Sequence, residues 1–143
     1  MLDCYDCKES KLKDLDFILN FLDDLPNLIH MHKIAKPYAV NYEGKEDSFD
    51  KGGISAIVII AESHISCHTF PLQKFVSVDI FSCKKFDADK ASEFIIKSFE
   101  AKRFERRLIN RGLEFPKEVP KAMKIVDKQR KTLYAHKANI IIP

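Results

Sequence analysis

The order of helix-like and strand-like segments predicts an α+β two-layer sandwich, an antiparallel sheet with helices packed on one face. Three observations carry that prediction. Ile54 to Ala61 is β-branched and nearly uncharged, with glycines before it and Glu62 after it, the pattern of a buried strand. Phe75 to Cys83 alternates, placing Phe75, Ser77, Asp79, Phe81 and Cys83 on one face and Val76, Val78, Ile80 and Ser82 on the other. Residues 10–25 carry Leu12, Leu15, Ile18, Leu19, Leu22 and Leu25 at helical spacing.

The remaining segments follow in chain order. Ser10 is the expected N-cap of the first helix, and Pro26-Asn27 is expected to end it. Leu28 to Ala35 fits no single period. Tyr38 to Tyr42 alternates as a short strand, and Gly44 to Gly53 reads as a polar loop. Between the two long strands lies Ala61 to Pro71, which holds Glu62, Ser63, His64, Cys67 and His68. Reactive side chains there would sit at strand ends. Asp87 or Asp89 caps a second helix running to about Ala101, with Ala91, Phe94, Ile95, Ser98 and Phe99 as its buried stripe. Arg103 to Asn110 is charged and strand-like at its end, an edge strand. Arg111-Gly112 turns, and Pro116 and Pro120 mark a linker before a basic helix over 121–137. The expected organisation is one domain over 1–116 and a basic helical extension over 117–143.

Length and composition narrow the class. The chain has 143 residues and is 45% apolar, enough for one hydrophobic core. The net charge is +3. From Lys117 onward seven Lys and Arg face two acids, a local +5 that leaves −2 for residues 1–116. The main body is therefore no nucleic-acid binder by charge. The N-terminal residues do not read as a secretory signal, and no apolar run approaches the roughly 20 residues that span a bilayer. A soluble, cytoplasmic protein with no membrane partner is expected. Cys4, Cys7, Cys67 and Cys83 are then expected as free thiols, with Cys67 packed in the core. Cys4-x-x-Cys7 lacks the strand-then-helix setting of a redox motif. Joined by His64 and His68 it could make a Cys2His2 zinc site, but the two pairs lie far apart in sequence and nothing fixes their register, so no metal is expected.

Ser63 follows a buried strand and precedes two histidines, which allows two chemistries. Nucleophilic hydrolysis calls for a glycine-flanked elbow, whereas Ser63 is flanked by Ala61, Glu62, His64 and Ile65. Self-processing calls for other things. The serine hydroxyl attacks its own preceding carbonyl to give an ester, and elimination then cleaves the chain and leaves a pyruvoyl group. A strained peptide, a polar group for the oxyanion and a base for the α-proton are needed.

The run Ile59 to Pro71, with Glu62-Ser63-His64 and His68-Thr69-Phe70-Pro71, is followed by Val78-Asp79-Ile80-Phe81-Ser82-Cys83 and preceded by Gly53-Ile54-Ser55. This arrangement resembles the prokaryotic S-adenosylmethionine decarboxylases, which typically read E-S-H-hydrophobic-x-x-H-T-W-P-E before an aspartate-containing strand ending in cysteine. The resemblance is specific over about residues 49–112 and does not reach the tail from Lys117. The family's usual first strand is expected to be short or absent before Leu2.

The resemblance implies roles residue by residue. Ser63 would become the pyruvoyl group, the only cofactor, and form a Schiff base with the substrate amine as an electron sink. Glu62 would be left as the carboxyl end of the smaller chain. His68 would transfer the proton in processing, and Ser55 would hydrogen-bond the processing intermediate. Cys83 would be the general acid that reprotonates the substrate carbon. Phe49, Phe70 and Leu72 would lie near the substrate. The assembly implied is a homodimer of cleaved protomers with sites across the interface.

Two departures stand out: Phe70 for the usual tryptophan, and Leu72 for the glutamate expected to hold the nucleoside's ribose hydroxyls. An unpaired buried hydroxyl costs about 1–3 kcal/mol. By the resemblance, S-adenosylmethionine is the expected substrate of a decarboxylase in polyamine biosynthesis. A pyruvoyl-dependent ornithine or arginine decarboxylase is the alternative, and an unprocessed partner subunit is a second.

Overall fold

The structure is a computed structural model and describes residues 1–45, 47 and 51–110. Phe49, Arg111-Gly112 and the extension expected over 117–143, with its boundary near 116, lie outside the described residues. Met1–Leu108 forms one compact unit. Its elements are β1 (Leu2–Tyr5), α1 (Glu9–Leu12), α2 (Leu15–Leu28), β2 (Tyr38–Glu43), β3 (Gly52–Ile60), β4 (Ser63–Phe70), β5 (Phe75–Ser82), α3 (Ala88–Phe99) and β6 (Arg103–Arg106). The strands form a single antiparallel sheet in the order β2-β3-β4-β5-β1-β6. Helices α2 and α3 cover one face, as the α+β two-layer sandwich requires.

Strand periodicity decides which face is covered. Along β3, Ile54, Ala56, Val58 and Ile60 are buried while Ser55, Ile57 and Ile59 are exposed. Ile65 and Cys67 on β4, Val76 and Val78 on β5, and Leu2 and Cys4 on β1 join the buried set. Against them α2 brings Ile18, Phe21, Leu22 and Leu25, and α3 brings Ala91, Ile95 and Phe99. Phe99 meets Phe21 and Phe17 edge-on, with ring centroids 5.0 and 5.5 Å apart. The opposite face, which no helix covers among the described residues, carries Ser55, Ile57, Ile59, His64, Ser66, His68, Ser77 and Asp79, a mixture of polar and branched apolar side chains.

Several sequence expectations are corrected. The first helix is two helices. Asp14, not Ser10, caps α2, its carboxylate accepting from the Phe17 amide at 2.9 Å. Pro26 does not end α2, which runs on to Leu28. Pro26 lacks the N–H that would bond the Leu22 carbonyl, and its buried ring packs into the core. β1 exists, although only Leu2 and Cys4 give it apolar alternation; it pairs with both β5 and β6. Gly52 and Gly53 belong to β3 rather than to the loop. Ala61 to Pro71 is not a connection between strand ends: Ser63–Phe70 is itself a central strand, joined to β3 by a tight turn at Ala61-Glu62. The edge strand β6 lies at the beginning of Arg103–Asn110 rather than at its end. Asp87 does cap α3, accepting from the Asp89 and Lys90 amides.

The β3–β4 pair is locked by one buried hydroxyl. Thr69 Oγ1 accepts from the Ile54 amide at 2.8 Å and donates to the Leu12 carbonyl at 2.9 Å, tying β3, β4 and α1 together. Beside it, a Cβ on Gly53 would stand 1.9 Å from the Thr69 carbonyl oxygen, so only glycine fits there. This lock holds Ser55 opposite His68. Thr69→Val keeps the shape but orphans both backbone partners. It is expected to lower the unfolding free energy by about 1–3 kcal/mol, read from urea melts.

Candidate active site

The turn at Glu62 and the strand end at Cys83 meet at one end of the sheet. Ser63 opens β4 opposite Ile60 on β3 and Ser82 on β5. Its φ is 144°, a conformation L-residues seldom take, so the backbone is strained at Ser63, next to the peptide that joins it to Glu62. The Glu62 carbonyl accepts a 2.9 Å hydrogen bond from the Cys83 amide. That amide is aimed at the oxygen that turns into an oxyanion when a nucleophile attacks Glu62. The Ser63 hydroxyl lies 3.2 Å from His64 Nδ1, and the His64 ring packs edge-on against Phe81. A nucleophile, an adjacent base and a carbonyl already held by a donor are thus gathered around one peptide bond.

The Glu62 side chain turns away from this bond. Its carboxylate accepts from the His32 backbone amide at 3.1 Å and pairs with His32 Nδ1 at 2.8 Å. Those His32 contacts, the ring first and the backbone second, hold its carboxyl below the usual range. Sequence periodicity offers no hint of this pairing, because the His32 segment fits no regular element and reaches Glu62 only through the fold.

His68 and Ser55 form a second group. Ser55 Oγ lies 3.0 Å from His68 Nδ1 on the open face. This group stands apart from Ser63. His68 follows Ser63 by five residues along β4, roughly 17 Å of extended strand. The four residues read together in the sequence therefore fall into two groups in this chain: Ser63 near Cys83, and His68 with Ser55.

The other candidates fall as follows. Phe70 is half-buried, its ring centroid 5.5 Å from that of Phe75. Leu72 lies in the short turn Pro71–Gln73 and is 66% exposed. Asp79 stands opposite Ser66 on the open face. Cys4, Cys7 and Cys67 lie in the core, whereas His64 and His68 project from the other side of β4, so the Cys2His2 set does not converge.

A family profile for S-adenosylmethionine decarboxylase matches residues 1–112. The chain belongs to that family. A relative from Thermodesulfovibrio yellowstonii, an S-adenosylmethionine decarboxylase proenzyme, is 34% identical over 103 residues, covering 71% of this chain and 70% of its own length. A proenzyme of the same name from Pyrococcus furiosus is 40% identical over 93 residues, 62% of this chain and 67% of the relative. The crystal structure of the adenosylmethionine decarboxylase from Aquifex aeolicus shares the fold with a TM-score of 0.59 at 24% identity, over 77% of this chain and 89% of that one. The match extends over β1, Leu2–Tyr5.

The thiols separate sharply within this family fold. Cys83 is exposed, whereas Cys4, Cys7 and Cys67 are buried. Burial pushes Cys4 up to about 12 and Cys7 up to about 11, and drives Cys67 upward as well. Iodoacetamide at pH 8 is expected to alkylate one thiol in the native protein, Cys83, and all four after unfolding. Intact mass and peptide mapping read both counts.

Proposed function

We propose that this chain is the proenzyme of a self-cleaving, pyruvoyl-dependent S-adenosylmethionine decarboxylase. The observation that carries the reading is the Glu62–Ser63 peptide: strained at Ser63, with its carbonyl held by the Cys83 amide. The family match and the proenzyme relatives support the same reading.

The proposed processing balances as follows. The Ser63 hydroxyl passes its proton to His64 Nδ1 and attacks the Glu62 carbonyl carbon, while the Cys83 amide stabilises the oxyanion. The C–N bond breaks and the Ser63 nitrogen takes up the proton, which leaves an ester and releases the strain. A base removes the Ser63 Cα proton, and the Glu62 carboxylate departs from Cβ. The dehydroalanine at 63 takes up water and loses ammonia.

The pyruvoyl group that results supplies a carbonyl for the substrate amine and an electron sink for the carbanion left by carbon dioxide. The Cys83 thiol is exposed and follows Ser82, the partner of Ser63 across the β4–β5 ladder, which supports a role for it in returning a proton to that carbon. Its amide does the processing work and its sulfur the later proton transfer, so the two roles separate by substitution.

The base for elimination is assigned to His68. With Nδ1–H donated to Ser55 Oγ, Nε2 is left free to accept a proton. The distance along β4 keeps this histidine from its own Ser63. A second copy is therefore proposed to supply it, in a homodimer whose open sheet faces meet. Exposed Ile57, Ile59, Tyr38, Val40 and Tyr42 give that face apolar surface to bury.

Leu72 weakens the case for ribose recognition less than its sequence position suggests. It is largely exposed in the single chain, so there it does not stand in a buried ribose pocket. The proenzyme relatives also favour S-adenosylmethionine over ornithine or arginine, and an enzyme over a partner subunit. A cytoplasmic location belongs to the same reading, since a reducing compartment keeps the exposed Cys83 thiol free. Among the described residues no helix is long and apolar enough to cross a membrane.

Intact mass on the purified protein is expected to find two chains, 1–62 and 63–143, the second with a blocked N-terminus. Ser63→Ala should remain whole. Cys83→Ala keeps the amide, so it should cleave yet decarboxylate at least about tenfold more slowly. A whole wild-type chain would overturn the enzyme reading.

The shared site has its own test. Ser63→Ala and His68→Ala chains, each expressed alone, should not process. Expressed together with distinguishable tags, the His68→Ala chain should cleave, because its partner supplies the histidine. Absence of cleavage in the mixture would refute the composite site.

A further inference from the structure

The carboxylate of Glu62 is the least expected feature at the scissile bond. The residue is buried in a turn, at 8% exposure. Its partner His32 lies thirty positions away, in the segment that leaves α2. That segment is itself fastened to the end of β3. The Ala61 amide donates to the His32 carbonyl at 2.8 Å, the Ile34 amide donates to the Ile59 carbonyl at 3.1 Å, and Lys33 bridges to Ile60. Lys84 closes the other side, its Nζ donating to the His30 carbonyl at 2.9 Å and standing 4.0 Å from the Glu62 carboxylate.

We infer that His32 is a positioning residue for self-cleavage: its ring and backbone amide clamp the Glu62 carboxylate so that the Glu62–Ser63 peptide keeps its strain and its carbonyl stays on the Cys83 amide. This inference rests on the processing reading above. The physical reason is over-determination. A strained residue keeps its conformation only when both flanks are pinned. On the Ser63 side the pin is the ladder to Ile60 and Ser82. On the Glu62 side there are two pins, the Cys83 amide on the carbonyl and His32 on the carboxylate. Without the second, the turn can rotate about Glu62, relax Ser63 and swing the carbonyl off its donor. His32 touches neither the hydroxyl nor the carbonyl, so it acts only through Glu62.

The exposure of the His32 side chain, 75%, makes the test clean, because its loss leaves no hole in the core. The cleavage half-time is followed on denaturing gels for newly made wild-type, His32→Ala, His32→Asn and Ser63→Ala chains, with thermal unfolding measured for each. His32→Ala should cleave about tenfold more slowly, the scale of losing one charge-assisted hydrogen bond from the transition-state geometry. His32→Asn keeps an N–H at the δ position and should recover most of the rate. Unfolding temperatures should match the wild type. Equal half-times for His32→Ala and wild type would overturn the inference. So would equal slowing in the alanine and asparagine variants together with lower unfolding temperatures, since that marks a fold role. A wild-type chain that stays whole would instead remove the processing reading, and the clamp with it.

Discussion

The hydrogen bond from the Cys83 amide to the Glu62 carbonyl is the constraint on which the candidate site depends. It spans the gap between the β3–β4 turn and the end of β5, so it forms only when three neighbouring strands are in register. Ser63 sits opposite Ile60 and Ser82 on those same strands. A slip of one residue would move the carbonyl from its donor and send the alternating side chains of β4 to the opposite faces. The Glu62–Ser63 peptide is therefore held by the sheet as a whole, not by its local sequence. The buried Thr69 hydroxyl, which closes the far end of the β3–β4 pair, belongs to the same register lock.

Alternation on β4 also keeps two chemistries apart. Cys67 points into the core beside the helices, where burial keeps it a thiol. His64 and His68 point the other way. Cys67 and the two histidines on one strand, with Cys4 and Cys7 folded in beneath, would suggest a metal cluster if strand periodicity were ignored. The pleat turns that set into a packed core on one side and two histidines on the other.

Much of this was legible in the sequence, and the gaps have physical causes. Ile54–Ala61 announces itself as an uncharged β-branched run, and Phe75–Cys83 by the alternation that burial on one face selects. Asp87 announces α3 because a carboxylate there satisfies free amides. Ser63–Phe70 hides as a strand: only Ile65, Cys67 and Thr69 face the core, and none but Ile65 and Thr69 is β-branched. β1 hides because four residues offer too few repeats to show a period. The residue types of the site were readable, since Ser55, Ser63, His68 and Cys83 are chemistry-bearing side chains in or beside strands. Their separation into two groups was not, because distance along a strand matters only once β4 is known to be a strand. His32 was invisible for a different reason. It reaches Glu62 across the fold, and no spacing rule connects positions 32 and 62.

The proposed pairing of two copies gives a reason for the sheet face that no described helix covers. A serine at one end of β4 and a histidine roughly 17 Å along it are useless to each other within one sheet. They become complementary when a second, antiparallel copy of the same strand lies opposite, because a two-fold axis near the middle of β4 brings the serine end of one copy over the histidine end of the other. An isologous contact of that kind repeats itself, so one interface makes two equivalent sites. Such an interface requires a face flat enough to approach and apolar enough to stay, with its polar groups gathered at the ends where chemistry occurs. Ile57 and Ile59 lie on β3 between Ser55 and the Glu62 turn, in keeping with that distribution. On this reading the helices are confined to one side of the sheet because the other side is reserved for the second copy.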